Sequence, residues 1–360
     1  MEEWRQALAH LRSSDDAHLL AVQLIYFSFI QWCSSEYAAA HRSVAEGLAI
    51  LDRGSGANPF LSPAYHVGQY IVPLTLVTLG RWGDALKQID AAISVMQKNG
   101  DRNRARRLTL YRAWIHLNAM DFAGVLTICD KAVPRNGESP SGDEPRTPAA
   151  FPTEFRISLV LRGSAEMMLG EHQQALEHLC QARDSIDRDA AVCDWYWRIV
   201  LDSSLTEFWL GSADLSLARV QAERFLQRTS ATAERMWQAL AWEAGARVAM
   251  AEGDRGRAQQ CIATAVSTMQ GHDVPLAAWR VHATAAELCG RAGDREAAMR
   301  HGELSRVTIL RLANSLQSED PLRTTFLSAP SVSRILAATL RPGSGDGDVQ
   351  PDVDVVQDGA

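Results

Sequence analysis

At 360 residues, 46% hydrophobic and 22% charged, the chain is long enough for one extended array or two ordinary domains and has the composition of a soluble protein. Its net charge of -7 is unevenly placed, because residues 341–360 hold five aspartates (346, 348, 352, 354 and 358) and one arginine, which leaves -3 for the rest. A body so nearly balanced lacks the clustered positive charge that phosphates attract, so neither direct nucleic-acid binding nor an anionic membrane is expected.

The chain opens Met1-Glu2-Glu3 and places Asp15-Asp16 ahead of its first apolar run, unlike the basic start of a secretory signal. Residues 1–16 read as a lead-in helix, and the protein is expected in the cytoplasm. Leu19 to Ser35 carries no charge, but it is interrupted by Gln23, Ser28 and Gln31 and is shorter than the roughly 20 apolar residues that span a bilayer. It reads as a buried helix. The six cysteines (33, 129, 180, 193, 261 and 289) are scattered without a Cys-x-x-Cys pair, as small apolar residues of a reducing compartment would be.

From residue 17 onward apolar residues recur at helical spacing, strand-like alternation is nearly absent, and glycines fall between the periodic segments. The clearest unit runs from Leu161 to Ala182 and reads helix, tight turn at Gly170, helix. Comparable turns fall at Ser35, Gly80, Met120, Ala213, Gly253 and Gly293. Five residues after the seven turns stand Ala40, Ala85, Val125, Ala175, Ala218, Ala258 and Ala298, where only a small side chain lets two helices cross closely. Seven before them stand Ser28, Pro73, Ala113, Gly163, Thr206, Ala246 and Ala286, and twelve after them Gly47, Ala92, Ala132, Ala182, Phe225, Ala265 and Ser305. First helices are expected to begin near 17, 62, 102, 153, 194, 232 and 273, with Pro73 kinking the second unit. Units 1–3 occupy 17–133 and units 4–7 occupy 153–316. The proline-rich stretch 134–152 between them is read as a polar loop, either a hinge or an expanded surface loop, the latter preferred. Capping helices are expected over 317–340, and 341–360 is expected to be a disordered acidic tail.

A small residue, a turn glycine and an alanine at these offsets resemble the tetratricopeptide repeat, although the units here are longer than its standard period of about 34 residues. The spacing near forty resembles the sensor arrays of large bacterial regulators, of the maltose-activator type and of ATPase- and cyclase-linked relatives. Glu319 to Leu336 resembles the segment that closes such helical regions. The resemblance covers residues 17–316 and implies an all-α, right-handed α-solenoid of about seven antiparallel helix pairs. It implies a stack in which each repeat touches only its neighbours, and a partner that is another protein or a peptide segment, with a regulatory ATPase or a DNA-binding regulator as the protein acted on. In those regulators a glycine-rich phosphate loop precedes the array, but no Gly-Lys pair exists here.

No catalytic constellation can be assembled from the sequence. Gly-x-Ser-x-Gly is missing, His172 and His178 point to different faces of one helix, and His282 with Cys289 falls short of a zinc shell. No cofactor, metal or catalytic residue is expected. The acids and arginines near the turns, as in Gly-Asp-Arg-Gly-Arg and Gly-Asp-Arg-Glu-Ala, read as solvated surface. In the repeats this chain resembles, first helices line a concave groove. Transferring that pattern to offsets -13, -10 and -6 from each turn selects the polar or aromatic residues Tyr70, Arg107, Trp114, Ser164, Ser203, Glu207, Glu243, Arg247, Arg280 and Glu287 as partner-binding candidates. Glu243 and Arg247, four apart, also fit a simple ion pair along one helix. The leading function is a non-catalytic scaffold binding protein or peptide. A small-ligand sensor, with an enclosed apolar pocket, is the alternative, and an enzyme of unrecognised type a third.

Overall fold

The computed structural model describes residues 2–13, 16–53, 62–133, 152–191 and 194–339. The proline-rich stretch, apart from Pro152, and the acidic tail lie outside the described residues. Among those described there are seventeen helices and no strand. Helix α1 (Glu2–Arg12) lies on α2, with Trp4 stacked on Phe27. Seven pairs follow: α2 (Ala17–Cys33) with α3 (Tyr37–Arg53), α4 (Pro63–Thr78) with α5 (Trp82–Lys98), and α6 (Arg102–Asn118) with α7 (Phe122–Ala132). Beyond the undescribed stretch come α8 (Pro152–Met168) with α9 (His172–Arg188), α10 (Asp194–Gly211) with α11 (Leu215–Ser230), α12 (Arg235–Glu252) with α13 (Arg255–Met269), and α14 (Pro275–Arg291) with α15 (Arg295–Ala313). Two short helices, α16 (Pro321–Ser328) and α17 (Pro330–Thr339), end the described chain. No helix among the described residues is long and apolar enough to cross a membrane.

Each pair is made by one local device. All seven turn positions have a left-handed backbone, glycine at 80, 170, 253 and 293, and Ser35, Met120 and Ala213 at φ 58°, 63° and 58°. At every one, the N–H of the following residue returns to the carbonyl five positions back, over 2.8–3.1 Å, which satisfies an orphan carbonyl at the helix end. The acids next to four of these turns are not idle solvated surface, as the sequence suggested. Asp121, Asp214, Asp254 and Asp294 are N-caps whose carboxylates accept the N–H three residues on, at 2.9–3.0 Å. Helix α4 runs through Pro73 as one element. The first helices of the sixth and seventh pairs begin at Arg235 and Pro275, slightly later than expected.

Ala40, Ala85, Val125, Ala175, Ala218 and Ala258 are fully buried where the two helices of their pairs cross. At Gly163 and Gly47 the fit is close, since an added Cβ would stand 2.9 Å from the carbonyl oxygen of Ala175 or Ala21. The seventh pair departs from the rule: Ala286 and Ala298 are only half-buried and face a cavity. Among the described residues the inner face of α15 meets the cavity and α17.

The expectation that each repeat touches only its neighbours is incorrect. The turn of the first pair meets the start of α12, where Ser35 and Tyr37 hydrogen-bond the buried Glu234 and the N–H of Arg235 donates to the Ser35 hydroxyl at 2.7 Å. The turn of the second pair meets the end of the seventh: the Trp82 N–H donates to Ser315 Oγ at 3.1 Å, and the Trp82 ring stands edge-on to Phe326 at 5.1 Å. The coil is therefore wound tightly enough for unit 1 to touch unit 6 and unit 2 to touch unit 7. Inside this winding one end is filled by rings drawn from units 1, 3, 5 and 6. Tyr196 packs against Trp32 at 4.7 Å, Trp114 at 5.8 Å and Trp237 at 5.9 Å, and Trp197 packs against Tyr111 and Trp114.

Candidate functional site

The aromatic cluster fills one end of the interior, which opens toward the C-terminal half of the chain. There it forms a cavity of ≈ 1130 Å³. All nine positions at offsets -13, -10 and -6 in the last three pairs line it: Val200, Ser203 and Glu207 on α10; Leu240, Glu243 and Arg247 on α12; Arg280, Ala283 and Glu287 on α14. In the third and fourth pairs only the -6 residues, Trp114 and Ser164, reach it. The same offsets in the first two pairs hold buried apolar residues such as Ile25 and Leu74, which pack in the filled end.

Burial orders the lining. Trp114, Val200, Met236, Trp237, Leu240, Leu276 and Trp279 are buried and make an apolar floor. Met168, Met299, Glu287 and Arg334 are exposed and belong to the rim. Five methionines (120, 167, 168, 236 and 299) line the space, a side chain whose flexible thioether adapts to irregular ligand shapes. The rim is completed from outside the repeats. Helix α17 is anchored by the buried Val332, places Arg334, Ile335 and Ala338 on the cavity wall, and brings Ser331 to 3.9 Å from the sulfur of Met120 in the third turn.

Between floor and rim lies a charged group drawn from three helices. Arg247 and Arg280 both donate to Glu207 Oε1, at 2.5 Å and 2.7 Å. Burial pushes the Glu207 carboxyl up, but the two guanidiniums outweigh it and hold its pKa down at about 2. Glu243 accepts from the Thr284 hydroxyl at 2.7 Å and stands 3.8 Å from Arg247. The intrahelical pair suggested by the i, i+4 spacing is thus not the main one, because Glu207 offers Arg247 a shorter partner across the groove.

The structure gathers eight of the ten candidate residues around the cavity: Trp114, Ser164, Ser203, Glu207, Glu243, Arg247, Arg280 and Glu287. Ser164 is tied to Ser204 at 2.6 Å, and Trp114 is nearly buried against the ring cluster. Tyr70 and Arg107 lie apart from the cavity and serve one another. The Arg107 guanidinium sits 5.1 Å above the Tyr70 ring and its Nε donates to Glu154 at 2.7 Å. The selection of polar and aromatic residues overlooked Val200, Leu240 and Ala283, which sit at the same offsets. It could not find Met120, Met299 or the α17 residues, which lie outside the first helices. Elsewhere, His282 pairs with His301, their Nδ1 atoms 3.0 Å apart, rather than with Cys289. No group of three or more His, Cys, Asp or Glu among the described residues could hold a metal ion.

No protein-family model and no curated protein matches the chain. Solved structures do. The Rap protein complexed with competence and sporulation factor aligns with a TM-score of 0.61 at 12% identity, over 86% of this chain and 81% of that one. NprR in complex with its cognate peptide NprX aligns with a TM-score of 0.55 at 12% identity, over 94% and 97%. At such identity the likeness carries the fold, and the chain is an all-α, tetratricopeptide-like helical-repeat protein.

Proposed function

We propose that the chain is a non-catalytic scaffold that binds a short peptide in the cavity of its C-terminal half and presents the bound state to a protein partner. The observation that carries this reading is the cavity. At ≈ 1130 Å³ it exceeds the roughly 300–1,000 Å³ of small-molecule sites, and a wall of arginines and glutamates above an apolar floor suits a peptide's mixed side chains and main chain. A small-ligand sensor calls for a smaller and more uniformly apolar enclosure. The fold shared with NprR, solved with its cognate peptide, and with Rap, solved with competence and sporulation factor, supports the same choice. By its resemblance to maltose-activator-type arrays, the partner would be a regulatory ATPase or a DNA-binding regulator in the cytoplasm.

Ala283 tests the assignment, because it faces the cavity and tryptophan there fills the space without entering the helix crossings. Full-length protein is immobilised and exposed to a random pool of short peptides, and retained peptides are measured by mass spectrometry. Wild type should retain a subset, and Ala283→Trp should lose at least about tenfold while melting as before. Equal retention by both would move the peptide out of this cavity, and retention of a metabolite from host extract in place of peptide would favour the sensor.

A further inference from the structure

A formal count of the cavity wall finds four carboxylates, Glu207, Glu243, Glu287 and Glu303, against three guanidiniums, Arg247, Arg280 and Arg334. Pairing reverses the balance that a ligand meets. Glu287 is bound by Arg291 at 2.5 Å and Glu303 by Arg306 through two bonds of 2.7 Å, and neither arginine lines the cavity. The other two carboxylates sit behind their partners: the Glu243 and Glu207 side chains are 3% and 21% exposed, against 33% for Arg247 and 30% for Arg280. A guanidinium has five N–H donors, and Arg247 and Arg280 each commit one to Glu207, their contacts to Glu243 being 3.8–3.9 Å. Arg334 makes no ion pair or hydrogen bond with any described residue. The surface offered to a ligand is thus one of unspent cationic donors, two of them held in place by the half-buried Glu207 carboxylate and a third carried by the last helix.

Resting on the peptide reading above, we propose that Arg334 of α17 joins Arg247 and Arg280 in a subsite for a carboxylate of the bound peptide. The last helix is then a recognition element as well as a cap. It belongs to no repeat, so its arginine selects ligands without disturbing the register of the array. A carboxylate placed there takes charge-assisted bonds from donors already desolvated on one side, the strong class of hydrogen bond for a planar fork.

Three pools of otherwise identical short peptides test this on the full chain: C-terminal amides without Asp or Glu, the same sequences as free acids, and the amides with one glutamate added. Wild type should retain the free acids or the glutamate amides about tenfold better than the neutral amides, as one charge-assisted hydrogen bond implies. Preference for the free acids assigns the subsite to the peptide's terminus, and preference for the glutamate amides assigns it to a side chain. In Arg334→Gln, an exposed position whose replacement leaves the fold intact, the preference should fall toward unity, and Arg334→Lys should regain part of it. Equal retention of all three pools by wild type overturns the carboxylate subsite and leaves the peptide reading standing. A preference undiminished in Arg334→Gln overturns the part given to α17, and retention of no pool overturns both readings.

Discussion

Ser35 holds a left-handed backbone that glycine would adopt more easily, and its hydroxyl accounts for the difference, since it bonds Glu234 and receives the N–H of Arg235 nearly two hundred residues away. Met120 is a second non-glycine at a turn, and its side chain lines the cavity. Nothing in the structure explains Ala213. The partner of Ser35 carries a pH signature. Burial pushes the Glu234 carboxyl up to about 8 from 4.5, only partly offset by the hydrogen bonds it accepts from the Trp237 N–H and Ser35. The groups facing it are neutral: the hydroxyls of Ser35 and Tyr37 from the first pair, and the N–H of Trp237 from α12. The folded pKa lies above the unfolded one, so the stability this protonated group contributes is complete below about 4.5 and is lost as pH rises through about 8. Glu234→Gln should flatten that part of the melting-temperature profile. Glu207, whose folded pKa is depressed, acts in the opposite sense: its contribution is present above about 4.5 and is lost as pH falls toward about 2, so Glu207→Gln should lower stability above about 4.5 and flatten the acid limb below it. An unchanged slope between about pH 4.5 and 8 in Glu234→Gln would show that the contact of Glu234 with Ser35 and Tyr37 does not hold its proton.

At the scale of a helix pair, stability rests on caps and on small residues at crossings. Asp254 caps α13 at 3.0 Å, and Asp254→Ala should cost about 1 kcal/mol in urea unfolding. Four positions on, the fully buried Ala258 is less forgiving. Arginine there separates α12 from α13 and buries an unpaired charge, a loss of several kcal/mol. Arg257→Ala next to it should change stability by about 0.5 kcal/mol, since that side chain is a third exposed and its contacts to Glu252 and Glu223 are long, 3.5 Å and 3.7 Å. Amide protection in Ala258→Arg should fall first in the fifth to seventh pairs. Because units 1 and 2 grip units 6 and 7, their turns should lose protection next, ahead of the third pair. A uniform loss over the whole chain would instead mean that the pairs unfold as one block.

Across the whole molecule, winding decides what the turns tolerate. Gly80 and Gly170 occupy equivalent turns with φ of 70° and 84°, so alanine at either meets left-handed strain of about 1–2 kcal/mol. Around Gly170 nothing lies within 4 Å of an added Cβ, whereas at Gly80 the Cβ would stand 2.3 Å from a Leu312 methyl across the closure of the coil. Gly80→Ala should therefore destabilise the protein clearly more than Gly170→Ala, and it alone should expand the radius of gyration in small-angle scattering. Peptide retention should fall with it, because α15 and α17 make one wall of the cavity. Equal effects from the two substitutions would show that the contact between units 2 and 7 does not hold the coil closed.

The helix pairs were legible in the sequence because each is specified within a few residues, by a left-handed turn and a small residue near the crossing, and these recur at a readable spacing; the capping role of the acids at four of the turns was not. Offsets from the turn also named eight of the cavity residues, since repeated geometry sends equivalent positions to the same side. Which of those positions face open space and which face packed rings was decided by tertiary structure alone. Tyr70 and Arg107 share the offsets of Leu240 and Glu243, yet one set meets another unit's side chains and the other meets the cavity, because the pitch of the coil brings unit 1 against unit 6 and fills one end with tryptophan and tyrosine. That pitch is a sum of small rotations over many interfaces, closed by contacts such as Ser35 with Glu234 and Trp82 with Ser315, and no local stretch of sequence contains it.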